Sequence, residues 1–186
     1  MFKSPQHRRQ LLAFARQTAR QALGMVDEEP AKPDIPGPCG GVFVTFWRGS
    51  TLRGCVGTFE YTTDVVTATA DITRASLGDH RFRNNPIQAG ELEQLTIEIS
   101  ILTPPMRTDD PLSLIPGRHG ILIRHTGRSG CFLPKVATER GWSARAFLEN
   151  CCTMKAGLPA DAWRAADAEV MIFESESFSE SGCAPM

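Results

Sequence analysis

Apolar positions recur with a helical period in four segments of the chain. Over residues 7–24, leucines and alanines share one arc of a helical wheel, arginines share another, and a glycine ends the pattern. Residues 63–77 repeat the period behind a capping Thr or Asp. Shorter helices are predicted at 135–140 and 143–153, and Gly157 is the predicted C-cap of the second.

Between the helices, apolar and polar residues alternate with the period of two that is typical of strands. Two hairpins are predicted at residues 42–59 and 120–134, and further strands at 97–102 and 168–175. Strands that pair through short turns are antiparallel. The pattern therefore predicts an α+β fold with a mainly antiparallel or mixed β-sheet flanked by helices, and it argues against a doubly wound parallel sheet.

The domain organisation is predicted from length and from the turn-forming residues. Prolines and glycines are concentrated in residues 26–41, which makes this segment a connector rather than a helix or strand. A chain of 186 residues suffices for one sizeable core, or for a main domain with a small appendage. We expect a single domain over residues 1–186.

Charge and hydropathy exclude several classes of protein. The net charge of −1 disfavours a dedicated nucleic-acid binder, and the arginine stripe of the first helix is expected to be a solvated face. No apolar run approaches the ~20 residues that cross a bilayer. Arginines and glutamines interrupt the apolar stretch near the N-terminus, so it is not the core of a signal peptide. We expect a cytoplasmic protein without membrane contact.

The cysteine pattern predicts free thiols rather than disulfides or a chelate. None of the spacings is CxxC, and in a reducing compartment the default is six free thiols, mostly packed as small apolar groups. A zinc site could draw on Cys55, His119 and Glu98, but no short-range chelating spacing supports it, and no glycine-rich nucleotide loop is present. We expect no metal and no cofactor. The cysteines are Cys39, Cys55, Cys131, Cys151, Cys152 and Cys183.

The segment LRGCVGT raises the question of whether its cysteine reacts. In a strand, Arg53 and Cys55 share one face, and a guanidinium there would favour the reactive thiolate. Gly54 and Gly57 weaken a strand, and such glycines often mark close approach of a ligand or another backbone. Alternatively, Cys55 is a packed small side chain and Arg53 pairs with a carboxylate such as Glu98. Spacing alone leaves both interpretations open.

Several motifs together resemble those of the AMMECR family. The LRGCVGT segment is similar to its signature, and further motifs follow in the family's order over roughly residues 8–180. This chain departs from the pattern at His80, where proline is usual, and at the adjacent Cys151 and Cys152. The matching motifs are LRGCVGT at 52–58, DHRF at 79–82, IEISILTPP at 97–105, His119-Gly120, LPKV at 133–136 and KAGLP at 155–159.

The resemblance implies a fold, a site and partners. It implies larger and smaller α+β subdomains with one cleft between them, where the motifs gather. Prokaryotic members resemble protein A of the AmmeMemoRadiSam system, whose other proteins are a Memo-like protein and a radical SAM protein. The family's biochemical activity is not established, so the resemblance implies no reaction.

Three residues are candidates for catalysis, and each has an alternative role. Cys55 is the predicted nucleophile, and His119 is its predicted base or, instead, a histidine bonded to a backbone carbonyl at a strand start. Glu98 either lies on a solvated strand face or lines the cleft as an orienting group or general base. The Asp79–Arg81 pair is expected to form a local ion pair that shapes its loop.

Three further residues are candidates for binding an anionic substrate. Arg53 and Lys155 carry the positive charge, and Ser100 shares the strand face of Glu98. For Lys155 the alternative is a helix C-terminal lysine that the helix dipole favours.

Two functions remain open from the sequence. One is an enzyme that uses a thiol-containing cleft for group transfer on a small anionic molecule or a modified side chain. The other is a non-catalytic adaptor or regulatory module that acts with the Memo-like and radical SAM proteins. Protein partners are favoured over nucleic acid because the charge is near neutral.

Overall fold

The structure is a computed structural model, and it describes residues 4–62 and 64–180. The chain divides into two compact units. The first contains the described residues up to Ile101 together with those from Glu176 onward, and the second is Leu102–Ser175. Two antiparallel four-stranded sheets and several helices confirm the predicted α+β class.

The sheet of the first unit has the strand order β2-β1-β3-β8. The predicted hairpin over 42–59 is confirmed, because β1 and β2 pair antiparallel with Thr45 opposite Cys55. This places β2 at an edge of the sheet. The strands are β1 (Gly41–Arg48), β2 (Thr51–Thr58), β3 (Thr96–Leu102) and β8 (Ser175–Ser179).

Helix α1 (Pro5–Ala22) buries Leu11, Leu12, Ala15 and Ala19 of the predicted apolar arc, but leaves Ala22 exposed, and the Ser4 hydroxyl caps its start. Of the predicted solvated stripe of Arg9, Arg16 and Arg20, only Arg9 is exposed without an ion pair in the described residues. Arg16 pairs with Glu180, Arg20 pairs with Glu93 at 2.7 Å, and Arg8, outside the stripe, pairs with Glu176. The stripe therefore attaches the helix to its own unit.

Helix α2 (Val65–Leu77) packs on the β1–β2 hairpin. Asp64 is its N-cap and accepts the Thr67 N–H at 2.9 Å, as one of the two predicted caps. The other predicted cap, Thr63, lies outside the described residues. Two 3₁₀ helices, His80–Phe82 and Ala89–Gln94, connect α2 to β3.

The second unit contains the other sheet, with the order β4-β7-β5-β6. The predicted hairpin over 120–134 is confirmed, and Thr126 and Gly127, both with positive φ, form its turn. The strands are β4 (Met106–Arg107), β5 (Gly120–His125), β6 (Arg128–Phe132) and β7 (Glu169–Phe173).

The helices of the second unit follow the hairpin. Helix α4 continues as a π-helix, Cys151–Ala156, and ends at Gly157 with φ +64°, which confirms the predicted C-cap. No helix in the described part of the chain combines the length and apolar character that crossing a membrane requires. The helices are α3 (Pro134–Glu139) and α4 (Ala144–Asn150), with 3₁₀ turns at Pro111–Ser113 and Ala162–Arg164.

Candidate functional site

Cys55 lies in the middle of the edge strand β2, and its side chain is half-buried. Its cross-strand neighbour Thr45 points a hydroxyl at the sulfur, with Oγ1 and Sγ 3.3 Å apart. Cys55 is thus a partly accessible thiol with a donor fixed beside it.

The backbone around Cys55 is held by side chains. Asp79 accepts the Cys55 N–H at 2.9 Å, and Arg81 donates to the Cys55 carbonyl at 2.8 Å. One residue on, Ser76 accepts the Val56 N–H at 3.1 Å and donates to a carbonyl of β1. The bonds to Cys55 occupy backbone groups of the edge strand, whereas Ser76 bridges Val56 to Val44, its partner across the hairpin.

Asp79 and Arg81 form the local ion pair that the sequence predicts. The guanidinium donates to Asp79 from Nε and from Nη2, the latter at 2.6 Å, and Asp79 is only 3% exposed. Arg81, helped by the backbone N–H groups of Cys55 and Arg81, lowers the pKa of Asp79 to about 2. Asp79 raises the pKa of Arg81, and the neighbouring Cys55 side chain adds to this effect. The positive charge that contacts Cys55 is therefore that of Arg81, which donates to the Cys55 carbonyl.

The two glycines of the LRGCVGT segment mark close approach, as predicted, but by the protein itself. A Cβ on Gly54 would lie 2.3 Å from the Ser76 carbonyl oxygen, at the end of α2. A Cβ on Gly57 would lie 2.2 Å from the ring of Phe43. Packing of a helix end and an aromatic ring accounts for both glycines.

Arg53 pairs with a carboxylate other than the predicted Glu98. It pairs with Glu91, with Nη2 and Oε1 2.7 Å apart, and also donates to the Asn85 carbonyl at 3.2 Å. The pair raises the pKa of Arg53 and lowers that of Glu91. Arg53 is 8% exposed, and its guanidinium lies 5.8 Å from the centre of the Phe82 ring. Its carboxylate partner in this structure is Glu91, and its charge is engaged there.

Glu98 and Ser100 lie on β3, whose predicted solvated face is buried. Their exposures are 1% and 2%, so the alternative of an exposed polar face is wrong. The Ser100 hydroxyl shares a hydrogen bond of 2.7 Å with the Ser177 hydroxyl on β8. Glu98 is a carboxylate held inside the first unit, on the face opposite the core isoleucines.

His119 and Lys155 belong to the second unit. His119 accepts the Ile115 N–H at Nδ1, 3.1 Å away, so the neutral ring carries its proton on Nε2. The predicted alternative of a bond to a carbonyl is wrong in detail, because the partner is an amide. The Lys155 ammonium lies 5.3 Å from the centre of the Phe132 ring, on the π-helix.

Of the other described cysteines, Cys131 is half-buried like Cys55, and the rest are buried. Cys39, Cys151 and Cys152 are buried, and burial raises the pKa of both Cys151 and Cys152. Cys183 lies outside the described residues. No group of three His, Cys, Asp or Glu side chains within residues 4–62 and 64–180 is arranged to hold a metal ion.

Sequence reasoning missed that the Asp79–Arg81 pair holds Cys55. The pair itself could be predicted, because an aspartate and an arginine two residues apart can reach each other within one loop. Nothing local connects position 79 to position 55, because Ser76 and the end of α2 bring them together. The Thr45 hydroxyl could have been found from the hairpin register alone.

Comparisons with known proteins agree with the motifs. The model of a family described as AMMECR1 matches residues 12–178. Protein MK0488 of Methanopyrus kandleri is 41% identical over 150 residues, which cover 75% of this chain and 71% of that protein. Protein TK0174 of Thermococcus kodakarensis is 40% identical over 151 residues, covering 75% and 72%. The crystal structure of the uncharacterized protein PH0010 from Pyrococcus horikoshii superposes with a TM-score of 0.79 at 33% identity, covering 92% of this chain and 90% of that one.

Proposed function

The chain belongs to the AMMECR1 family, and from the geometry around Cys55 we propose that it catalyses a group transfer in which this thiol is the nucleophile. One observation carries the proposal. The partly accessible sulfur of Cys55 accepts a hydroxyl bond from Thr45, and Arg81, which pairs with the buried Asp79, donates to the carbonyl of the same cysteine. The substrate class is a small anionic molecule or a modified side chain. We place the reaction in the cytoplasm, where thiols stay reduced.

The roles in this reaction follow from charge. Thr45 donates to the Cys55 sulfur, Arg81 supplies a positive charge at the same residue, and the thiolate is the form of cysteine that reacts. The Cys55 thiol first gives its proton to water, and the thiolate then forms a bond to an electrophilic carbon while the bond from that carbon to its leaving group breaks; the leaving group departs with the electron pair and takes up a proton. A nucleophilic acceptor then bonds to the carbon as the C–S bond breaks, and the proton that the acceptor loses returns to the sulfur. Asp79 acts through Arg81 and the Cys55 backbone, so it is a positioning residue.

The other predicted site residues keep their roles only as parts of the proposal. Glu98 and His119 stay predicted as the acid–base groups, and Ser100 and Lys155 stay predicted as substrate contacts. His119 can act as a base at Nδ1 only when the hydrogen bond that this atom accepts from the Ile115 N–H is broken. Arg53 is only 8% exposed, whereas the Arg81 side chain is 46% exposed, so Arg81 is the better candidate for anion binding at Cys55.

Alkylation by iodoacetamide tests the proposal, with each cysteine followed by peptide mass spectrometry. At pH 7 we expect Cys55 to react at least about tenfold faster than the buried Cys151 and Cys152. Arg81→Gln should slow Cys55 alkylation about fivefold, since a nearby unit charge is worth of the order of 1 kcal/mol in a partly solvated place. Arg81→Lys should restore most of the rate, because the charge rather than the shape matters.

The matched control is Arg83→Gln, an exposed arginine two residues further along. It should leave the Cys55 rate unchanged. Equal rates in wild type and Arg81→Gln would remove the electrostatic basis of the proposal. Cys55 alkylation as slow as that of Cys151 would exclude Cys55 as a nucleophile altogether.

A non-catalytic module that acts with Memo-like and radical SAM proteins is the second candidate. Exposed apolar side chains favour it, since the second unit presents Met106, Leu112 and Ile115 with 67%, 44% and 50% of their surface open. Calorimetric titration of the purified Memo-like and radical SAM proteins against this chain tests it. We expect saturable binding that Met106→Glu weakens. Binding to neither protein would contradict this candidate.

A further inference from the structure

The second unit contains a cavity of about 310 Å³, and none of its lining residues belongs to the candidate site described above. One wall is the segment that follows β4, where the Thr108 N–H donates to the Val170 carbonyl at 3.0 Å and the chain then leaves the sheet. The other wall is the 3₁₀ turn Ala162–Arg164 and the residues that lead into β7. The short strand β4 and the turn thus build a recess at the edge of the sheet.

Two arginines line this cavity, and no carboxylate of residues 4–62 and 64–180 forms an ion pair with either of them. Arg107 and Arg164 are both exposed, and neither forms an ion pair with any residue of the described chain. Arg118, in the same unit, is instead paired with Glu174 at 2.7 Å. Asp109 is the one carboxylate among the lining residues, so the described wall carries a net positive charge.

Trp163 positions one of these two guanidiniums. The Arg164 guanidinium lies 4.8 Å from the centre of the indole ring. Contact with an aromatic ring restricts the guanidinium while leaving its N–H groups available to an oxyanion. The indole N–H of Trp163 is also buried without an acceptor in the part of the chain that the structure describes.

Small side chains shape the rest of the recess. Ala165, Ala166 and Ala168 line it, so room is left between the two arginines and the sheet edge. A volume near 300 Å³ is at the lower end for small-molecule sites. The charged side chains of the lining are thus two guanidiniums and one carboxylate, and the size of the cavity suits a small ligand.

We infer that this cavity binds a small molecule through a carboxylate or phosphate group. Both groups present paired oxygens, which match the planar donors of a guanidinium bidentately. Asp109 at the same cavity supplies an acceptor for a hydroxyl or ammonium group of the ligand. This inference concerns residues of the second unit and does not depend on Cys55.

The test is a titration of the isotopically labelled full chain with inorganic phosphate and, separately, with succinate. Sodium chloride holds the ionic strength constant, because general screening also weakens exposed charges. The signals are the Trp163 indole N–H and the Arg164 Nε–H. We expect both to shift and saturate, and the tighter probe identifies which oxyanion the site prefers.

Variants of the wall separate a site from diffuse attraction. Arg164→Gln and Arg107→Gln should each weaken binding at least about tenfold, the cost of one charge-assisted contact of about 1.4 kcal/mol or more. Arg140→Gln, an exposed arginine of the same unit outside the cavity, should leave the affinity unchanged. Shifts that do not saturate with either probe, or equal weakening by Arg140→Gln, would overturn the inference.

Discussion

Replacement of Asp79 by asparagine tests the ion pair that holds Cys55. Folding lowers the pKa of this carboxyl from its ordinary 3.8 to about 2, mainly because Arg81 donates to it. At about 1.4 kcal/mol per pKa unit, the carboxylate form contributes about 2.5 kcal/mol to the free energy of unfolding. We expect Asp79→Asn to lose about 2 kcal/mol at pH 7, since the amide keeps one acceptor but not the charge.

The lowered pKa of Asp79 also predicts in which direction the stability changes with pH. A carboxyl with a lowered pKa stabilises the folded state fully above pH 3.8, and that stability disappears as the pH falls through 2, because the unfolded chain binds the proton first. Urea unfolding of wild type and Asp79→Asn between pH 7 and pH 2 is the assay. The difference in stability should be constant from pH 7 to about 5 and shrink towards pH 2.

A matched variant separates this effect from general charge removal. Asp71 is 68% exposed and pairs with Arg74 at 3.5 Å, so Asp71→Asn should cost less than about 0.5 kcal/mol at every pH. A stability difference for Asp79→Asn that is absent at pH 7, or that stays the same down to pH 2, would refute the reasoning.

Two further predictions concern packing and helix attachment. Gly54→Ala should destabilise the protein by about 2 kcal/mol or more in urea unfolding, because its Cβ would meet the Ser76 carbonyl at 2.3 Å. Gly90→Ala is the control and should be nearly neutral, because its Cβ would have no neighbouring atom within 4 Å. Equal effects of the two alanines would contradict the close approach. Arg16→Gln should cost about 2 kcal/mol, because Arg16 donates to two backbone carbonyls at 2.7 and 2.6 Å besides its ion pair. The exposed Arg9→Gln should change stability by less than 0.5 kcal/mol, about the usual range for surface positions, and a comparable loss there would show that helix charge rather than attachment matters.

The parts of the fold that follow from local rules could be predicted. The hairpins over 42–59 and 120–134 and the stop at Gly157 depend on residues within a few positions of each other. The same holds for the Asp79–Arg81 pair, which is two residues apart. The family's motifs could also be recognised along the chain, and the comparison confirms that membership.

The partners across the chain could not be predicted in this way. Arg53 faces Glu91, 38 positions away, and Arg16 faces Glu180, 164 positions away. Alternation told us that Glu98 lies opposite the isoleucines but not that this second face of β3 is also covered. The sequence spacing predicted that Arg53 would be the arginine at Cys55. In the structure, the loop that follows α2 brings Arg81 to Cys55 instead.

By itself, the amino-acid order determined which segments become strands and helices, where several of them end, and to which family the chain belongs. Only the tertiary structure decided which charged residue contacts Cys55 and at which glycines neighbouring atoms occupy the space of a side chain. It also decided which arginines line the cavity of the second unit without an ion pair in the described residues. The physical reason is range. Backbone periodicity and capping act over a few residues, whereas burial and ion pairing depend on surfaces that meet only when distant segments pack.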